Sequence, residues 1–239
     1  MANSVSKAKL EDMHKSLPED AGVAKTSHPS DKRLVLASES PRRKELLGSL
    51  GIAFETIPSD IEEPIEVGRA PDEVAVELAL RKATTVKDRL LALYAADQKQ
   101  LAERLVVLAA DTVVVLESEF LEKPSSKDDA AAMLAKLSGK VHEVFTGVAV
   151  VAFDSKTKEF VLRKDCGRTF VTMRKLDPAE IAAYVATGEP MDKAGAYAVQ
   201  GIAAAFVEKV DGCISNVIGL PMTKTVSLLR QAGIKILGC

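Results

Sequence analysis

Two arginines, Arg42 and Arg43, stand where the chain passes from an apolar strand into a helix. The run Leu34-Val35-Leu36-Ala37 reads as the strand and Ser40 as the helix cap. Pro41 has the fixed φ and missing N–H that suit a first helical position. Leu46, Leu47 and Leu50 then share one apolar face before Gly51 closes the helix. A helix N-terminus already carries positive partial charge, so a cation there is unfavourable by about 0.3–1 kcal/mol. An anion held by the backbone N–H groups and two guanidinium groups reverses that sign. The residues alone leave two readings, a solvated surface pair or a phosphate site. The second explains the placement.

Asp111 is the next residue with chemistry in it. It interrupts Val106-Val107-Leu108-Ala109-Ala110-Asp111-Thr112-Val113-Val114-Val115, where an unpaired carboxylate would be costly to bury. Such an Asp either hydrogen-bonds a nearby turn or, facing cations, holds Mg²⁺ or positions an attacking water. Lys82, Lys123 and Lys193 join the two arginines as a candidate phosphate cage. Each lysine alone reads equally as a solvated surface residue. Lys123 precedes a proline at a strand end and Lys193 lies in a Gly-flanked loop, places where a backbone approaches a ligand. Glu63, in the loop after Ile61, is either a metal ligand or water positioner, or an exposed acid.

Other constellations are absent. His14, His28 and His142 are scattered, with no Gly-x-Ser-x-Gly elbow and no His-Glu-x-x-His. Neither a P-loop nor a Gly-x-Gly-x-x-Gly follows a strand, so nucleotide binding here needs another design. Three tyrosines and no tryptophan argue against a stacking platform for single-stranded nucleic acid.

The elements that must position these groups alternate between strand and helix from Arg33 onward, which points to an α/β fold. Ala53–Ile57 reads as a short strand, and a helix opens at Pro71 and runs to about Leu93. Tyr94–Glu103 extends or follows that helix, and Leu105–Leu116 is a long strand. Glu117-Ser118-Glu119 turns it into a second short strand ending at Lys123-Pro124. Ser126 with Asp129 resembles a capping box ahead of a helix to Leu137. Strands over Val141–Phe153 and Glu159–Arg174, a helix starting at Asp177-Pro178 and a strand over Ala203–Val210 follow. Gly219-Leu220-Pro221 then leads into a last helix.

At 239 residues, 47% of them hydrophobic, the chain can bury one sizeable core without demanding two. A net charge of −2 recruits neither nucleic acid nor an anionic membrane, so anion binding must be local. Cys166, Cys213 and Cys239 are widely spaced, which fits a reducing compartment and argues against a structural zinc site. No apolar run approaches the length of a membrane span. Residues 1–32, mixing Lys, Glu and Asp with Ser and Pro, read as a flexible extension with a helical turn near Ala8–Leu17. Residues 33–239 then form the domain, with a cytoplasmic setting expected.

Ser38-Glu39-Ser40-Pro41-Arg42-Arg43-Lys44-Glu45-Leu46-Leu47 resembles the opening motif of the Maf family of nucleotide pyrophosphatases. The resemblance continues through Ala110-Asp111-Thr112-Val113-Val114, Glu122-Lys123-Pro124, Leu137-Ser138-Gly139 and Thr146-Gly147. It resumes in Glu189-Pro190-Met191-Asp192-Lys193-Ala194-Gly195-Ala196-Tyr197, Gln200-Gly201 and Val217-Ile218-Gly219-Leu220-Pro221. The motifs come in the family's order over roughly residues 33–230.

The resemblance implies a twisted mixed β-sheet with flanking helices around a central cleft, an inosine-triphosphatase-like fold. It implies hydrolysis of the α–β phosphoanhydride of a nucleoside triphosphate, with Asp111 as proton acceptor. Glu63 and Lys82 join Asp111 as catalytic residues, and Asp111 and Glu63 hold a divalent metal, Mg²⁺ or Mn²⁺. Ser38, Arg42, Arg43, Thr112, Lys123, Lys193 and Gln200 bind substrate on the same reading, and a homodimer is implied.

Three positions separate the family's substrate classes. Arg after Ser-Pro, Thr after the catalytic Asp and Gln before Gly mark the dTTP/UTP class, matching Arg42, Thr112 and Gln200. An aromatic residue, Gln and Glu would mark the 7-methyl-GTP class, which is the alternative. A non-catalytic nucleotide-binding regulator of septum formation is the other alternative, and the full set of charged residues argues against it.

Overall fold

Strand pairing along one long apolar segment organises the molecule. In the structure, a computed structural model, residues 32–61, 68–94 and 98–238 are described. The chain divides into Met1–Asp31 and Lys32–Cys239, and all that follows belongs to the second unit. Of the extension expected over residues 1–32, residues 1–31 lie outside the described residues, as does Glu63.

Strand β3 (Leu105–Leu116) sits at the centre of a seven-stranded sheet of order β2-β1-β3-β5-β6-β7, with β4 also on β3. The strands are β1 (Arg33–Leu36), β2 (Glu55–Thr56), β4 (Glu119–Leu121), β5 (Val141–Asp154), β6 (Glu159–Met173) and β7 (Val207–Asp211). β1 runs parallel to β2 and β3, and every other pair is antiparallel, so the sheet is mixed. The helices are α1 (Pro41–Gly48), α2 (Pro71–Leu93), α3 (Gln98–Arg104), α4 (Lys127–Leu137), α5 (Pro178–Ala186), α6 (Ile214–Ile218) and α7 (Met222–Gln231).

The pleat divides β3 cleanly. Leu105, Val107 and Ala109 pack with Ala79, Ala83, Val86 and Leu90 of α2 on one face. Val106, Leu108 and Ala110 pack with Leu47 of α1 and Leu228 and Leu229 of α7 on the other. A period of two therefore sends Asp111 toward α2 and Thr112 toward α1.

The edge of β3 shared with β1 and β4 is the second determinant. β1 pairs with Leu105 to Leu108, and β4 pairs with Val114 to Leu116. Between these two partners, residues 109–113 have no ladder partner on that edge, and the sheet opens there. Asp111 and Thr112 lie in the opening.

Several boundaries match the sequence reading, including α2 and β3 residue for residue. The Glu117-Ser118 turn has both residues at positive φ, the two-residue hairpin geometry that the right-handed twist prefers. Three expectations need correction. The strand expected over Ala203–Val210 starts as a 3₁₀ turn, Ile202–Phe206, and becomes β7 only at Val207. Alanines at 203–205 have little β preference, and the Glu189 carboxylate accepts from the Ile202 N–H, fixing the turn. The strand expected over Ala53–Ile57 shrinks to Glu55–Thr56, the two residues that pair with Val35 and Leu36 at the end of the four-residue β1. At α4, Ser126 Oγ caps Asp129 N–H, but the Asp129 carboxylate accepts from Ser125 rather than Ser126. The reciprocal capping box occurs at α5, between Asp177 and Glu180.

Gly147 lies directly opposite Asp111 on β5, and a Cβ there would come 2.2 Å from the Ala75 carbonyl oxygen of α2. The missing side chain is what lets α2 lie so close to the sheet beside Asp111. Gly147→Ala is expected to lower stability by about 1–3 kcal/mol through overpacking. A thermal melt reads this as a fall in Tm of about 2–4 °C per kcal/mol. A Tm equal to the parent's would mean that the helix does not need that approach.

Candidate active site

The opening in the sheet leads into a cleft of about 590 Å³. Its lining includes Ser38, Arg42, Arg43, Lys82, Asp111, Thr112, Lys123, Lys193 and Gln200. These are all the site residues expected from sequence apart from Glu63, drawn from five separated stretches of chain.

Asp111 turns to the α2 face, where its carboxylate accepts a hydrogen bond from the Lys82 ammonium. The two side chains are 15% and 19% exposed, so the pair is largely shielded yet open to the cleft. Lys82 reaches this place because it follows Leu78 and Ala79 along the buried stripe of α2, one turn on. The carboxylate that would be costly alone is paired.

Thr112 turns to the α1 face and meets Arg43. The start of α1 follows the sequence reading: Ser40 Oγ accepts from the Arg43 N–H at 3.4 Å, and Pro41 opens the helix. The Arg43 guanidinium then donates through Nε to the Gly219 carbonyl at 2.8 Å, and through Nη2 to Thr112 Oγ1 at 3.2 Å. Its Nη1 donates to Ser38 Oγ at 3.4 Å. Ser38 itself is buried, and its Oγ also accepts from the Ser40 N–H. Arg43 is therefore held in place by three protein oxygens before any ligand arrives.

Lys193 lines the cleft as well. Its ammonium donates to the Glu189 carbonyl at 2.7 Å and pairs with Asp192. Burial works against the Asp192 charge, yet the Lys193 hydrogen bond and the Lys193 and Arg42 charges hold that carboxyl below the usual range. Arg42 therefore lies near enough to Asp192 for its charge to act on that carboxyl. Lys123 and Gln200 are exposed at the rim of the cleft.

Four residues with roles here escaped the sequence reading. Arg89 of α2 donates to the Pro58 and Ser59 carbonyls, both at 2.9 Å, and to Asp60 at 3.1 Å, fixing that wall of the cleft. Glu189 accepts from Tyr184 at 3.0 Å and from Ile202 N–H at 3.2 Å. It fills the space beside Gly201 so closely that a Cβ would sit 2.1 Å from its Oε1, and so supports the turn carrying Gln200. Thr146 and Asn216 are fully buried behind Thr112. The Glu189-Pro190 and Thr146-Gly147 motifs were the available signals; nothing local marked Arg89.

His142 is buried, with Nε2 2.7 Å from the Tyr197 hydroxyl, and burial lowers its pKa to about 4. It therefore stays neutral at physiological pH and supports Tyr197, whose ring lines the cleft.

The geometry meets its counterpart in the comparison with known proteins. Residues 33–232 match the model of the Maf-like protein family. This chain belongs to that family. Among its curated relatives is a dTTP/UTP pyrophosphatase of an Anaeromyxobacter species, 47% identical over 84% of this chain and 90% of the relative. Proteins of the same name from Gloeobacter violaceus and Pelotomaculum thermopropionicum are 45% and 44% identical, covering 83% and 86% of this chain and 95% and 100% of theirs. Among solved structures, the Staphylococcus aureus Ham1 protein aligns at TM-score 0.36 and 14% identity, over 59% of this chain and 72% of that one. That likeness carries no argument. As for its described residues, no helix of this Maf-like chain is long and apolar enough to cross a membrane.

Proposed function

We propose that this Maf-like chain is a nucleoside triphosphate pyrophosphatase acting on dTTP and UTP. It cleaves the α–β phosphoanhydride to give the monophosphate and pyrophosphate. The observation that carries the reading is the cleft itself, which sets the Asp111 carboxylate among Arg42, Arg43, Lys82, Lys123 and Lys193. Each named relative is a dTTP/UTP pyrophosphatase at more than 40% identity over most of both chains.

In this mechanism Arg42, Arg43, Lys123 and Lys193 hold the triphosphate, with Ser38 and the α1 N-terminus adding donors. Asp111 accepts the proton of the attacking water while the water oxygen bonds to phosphorus and the bridging oxygen departs. Lys82 holds the Asp111 carboxylate in position for that role. The preset orientation of Arg43 means that little reorganisation is needed as charge develops on the phosphate oxygens.

A divalent metal, Mg²⁺ or Mn²⁺, belongs to the proposal. Among the described residues no group of three His, Cys, Asp or Glu side chains forms a protein cage. Asp111 is the described residue that would hold the metal, a carboxylate being the hard oxygen donor that such a cation takes. When bound, the metal would supply charge neutralisation at the phosphate oxygens. Glu63 is kept as the second ligand, and a cytoplasmic homodimer is kept with it, on the family resemblance.

Gln200 is assigned to the base. Its amide offers both donor and acceptor to the O4/N3 edge of uracil or thymine, which a carboxylate does not. Gln200→Glu is expected to lower kcat/KM on dTTP and UTP by about tenfold, since a hydrogen-bonding group mismatched to the base that covers it costs about 1–3 kcal/mol. A pyrophosphate-release assay over dTTP, UTP, dCTP and 7-methyl-GTP tests both claims. A parent that prefers 7-methyl-GTP, or releases no pyrophosphate from dTTP and UTP, overturns the proposed function.

A further inference from the structure

We infer that Thr112 acts as a positioning residue for Arg43 and reads the phosphate chain through it, rather than donating to the nucleobase. The inference rests on the triphosphate reading of the cleft. Its ground is the direction of the hydroxyl protons. Thr146 Oγ1 lies 2.9 Å from the Asn216 carbonyl oxygen, which can only accept, so the Thr146 proton points there. Thr112 Oγ1 lies 2.9 Å from Thr146 Oγ1, and its own proton must therefore go to Thr146. Thr112 then accepts from Arg43 Nη2. The one donor of Thr112 is directed into the protein, so the O4 of uracil or thymine cannot receive it.

The register explains how such a chain arises. Thr112 on β3 stands opposite Thr146 on β5, which stands opposite Gly167 on β6. The row of side chains stops at Gly167, and a Cβ there would come 2.3 Å from Asn216 Oδ1. The gap in the row is what admits Asn216 from α6. Its Nδ2 donates to the Val144 carbonyl at 2.9 Å and to Thr169 Oγ1 at 3.0 Å, which orients the amide and locks α6 to the sheet. The main-chain carbonyl of Asn216 accepts both from Thr146 and, at 3.0 Å, from the Gly219 N–H. Gly219 and Thr112 are two of the groups that hold Arg43. One buried asparagine thus sets both, through the backbone on one side and two hydroxyls on the other.

Inorganic tripolyphosphate separates the two roles because it has the phosphates and no base. Its equilibrium affinity, by calorimetry, and kcat/KM across UTP, dTTP and dCTP are measured for parent and variants. Thr112→Val should weaken tripolyphosphate and UTP by the same factor, about tenfold, as expected for a hydrogen bond to a charged group. The order of preference among the bases should not change, and Thr112→Ser should restore most of the loss. In an Arg43→Ala background, Thr112→Val should add no more than about a twofold effect, since the two groups act as one unit. Thr146→Val, which lies outside the cleft lining, should reproduce the pattern at smaller size and gives a second route if Thr112→Val folds poorly. Unchanged tripolyphosphate affinity with an altered base preference would overturn the inference, as would a full Thr112→Val effect on tripolyphosphate in the Arg43→Ala background. The binding arm needs no turnover, so a parent that binds tripolyphosphate but cleaves nothing would overturn the enzymatic reading alone.

Discussion

Asp111→Asn is expected to lower kcat on dTTP and UTP by about 10²–10⁴-fold, the usual contribution of a positioned base. KM should change by less, because the groups assigned to the triphosphate are other residues. The substitution keeps the shape of the side chain and its hydrogen bond from Lys82 but removes the capacity to take up a proton. An amide is also a weaker ligand for a hard divalent cation than a carboxylate, so raising Mg²⁺ should recover only a small part of the loss. Steady-state pyrophosphate release, with a thermal melt to show that the variant is folded, measures both. Turnover near the parent's would remove Asp111 from the role of base.

Arg43→Ala should raise KM for dTTP and UTP by about 10²-fold, because a charge-assisted contact to phosphate is worth about 1.5–3 kcal/mol and more than one is lost. The neighbouring Arg42→Ala should also weaken triphosphate binding, yet the two variants should part in the apo protein. Arg43 satisfies the Gly219 carbonyl, Ser38 Oγ and Thr112 Oγ1 inside the fold, so its loss should lower Tm. Arg42 is a cation in the first turn of α1, and its removal should leave Tm level or slightly raised. Two arginines adjacent in sequence are thereby separated by a melt without ligand. Equal apo stabilities would mean that the Arg43 contacts contribute nothing to the fold.

The contrast between these two residues marks how far the chain could be read without its structure. Ser40-Pro41 announced a helix start because a cap and a missing N–H are properties of the residues themselves. The limits of α2 and β3 were legible for a similar reason, since an apolar stripe of helical period and a β-branched run are local patterns. The family resemblance brought together Arg42, Arg43, Lys82, Asp111, Thr112, Lys123, Lys193 and Gln200, and the fold places all of them on one cleft. The strand expected over Ala203–Val210 was misread because Glu189, distant by 13 positions, imposes a turn on Ile202.

What the sequence by itself determined, then, is the succession of strands and helices and the types of group available for phosphate chemistry. Periodicity and capping act over a few residues, and those forces are written in neighbouring positions. Only the tertiary structure decided that Asp111 and Thr112 serve opposite faces at a break between β1 and β4. It also decided that Arg43 is held by Thr112, 69 positions away, and by Gly219, 176 positions away. The direction of each hydroxyl proton depends on which acceptor stands behind it. That follows from strand register and from the space left by Gly167, which no local pattern encodes.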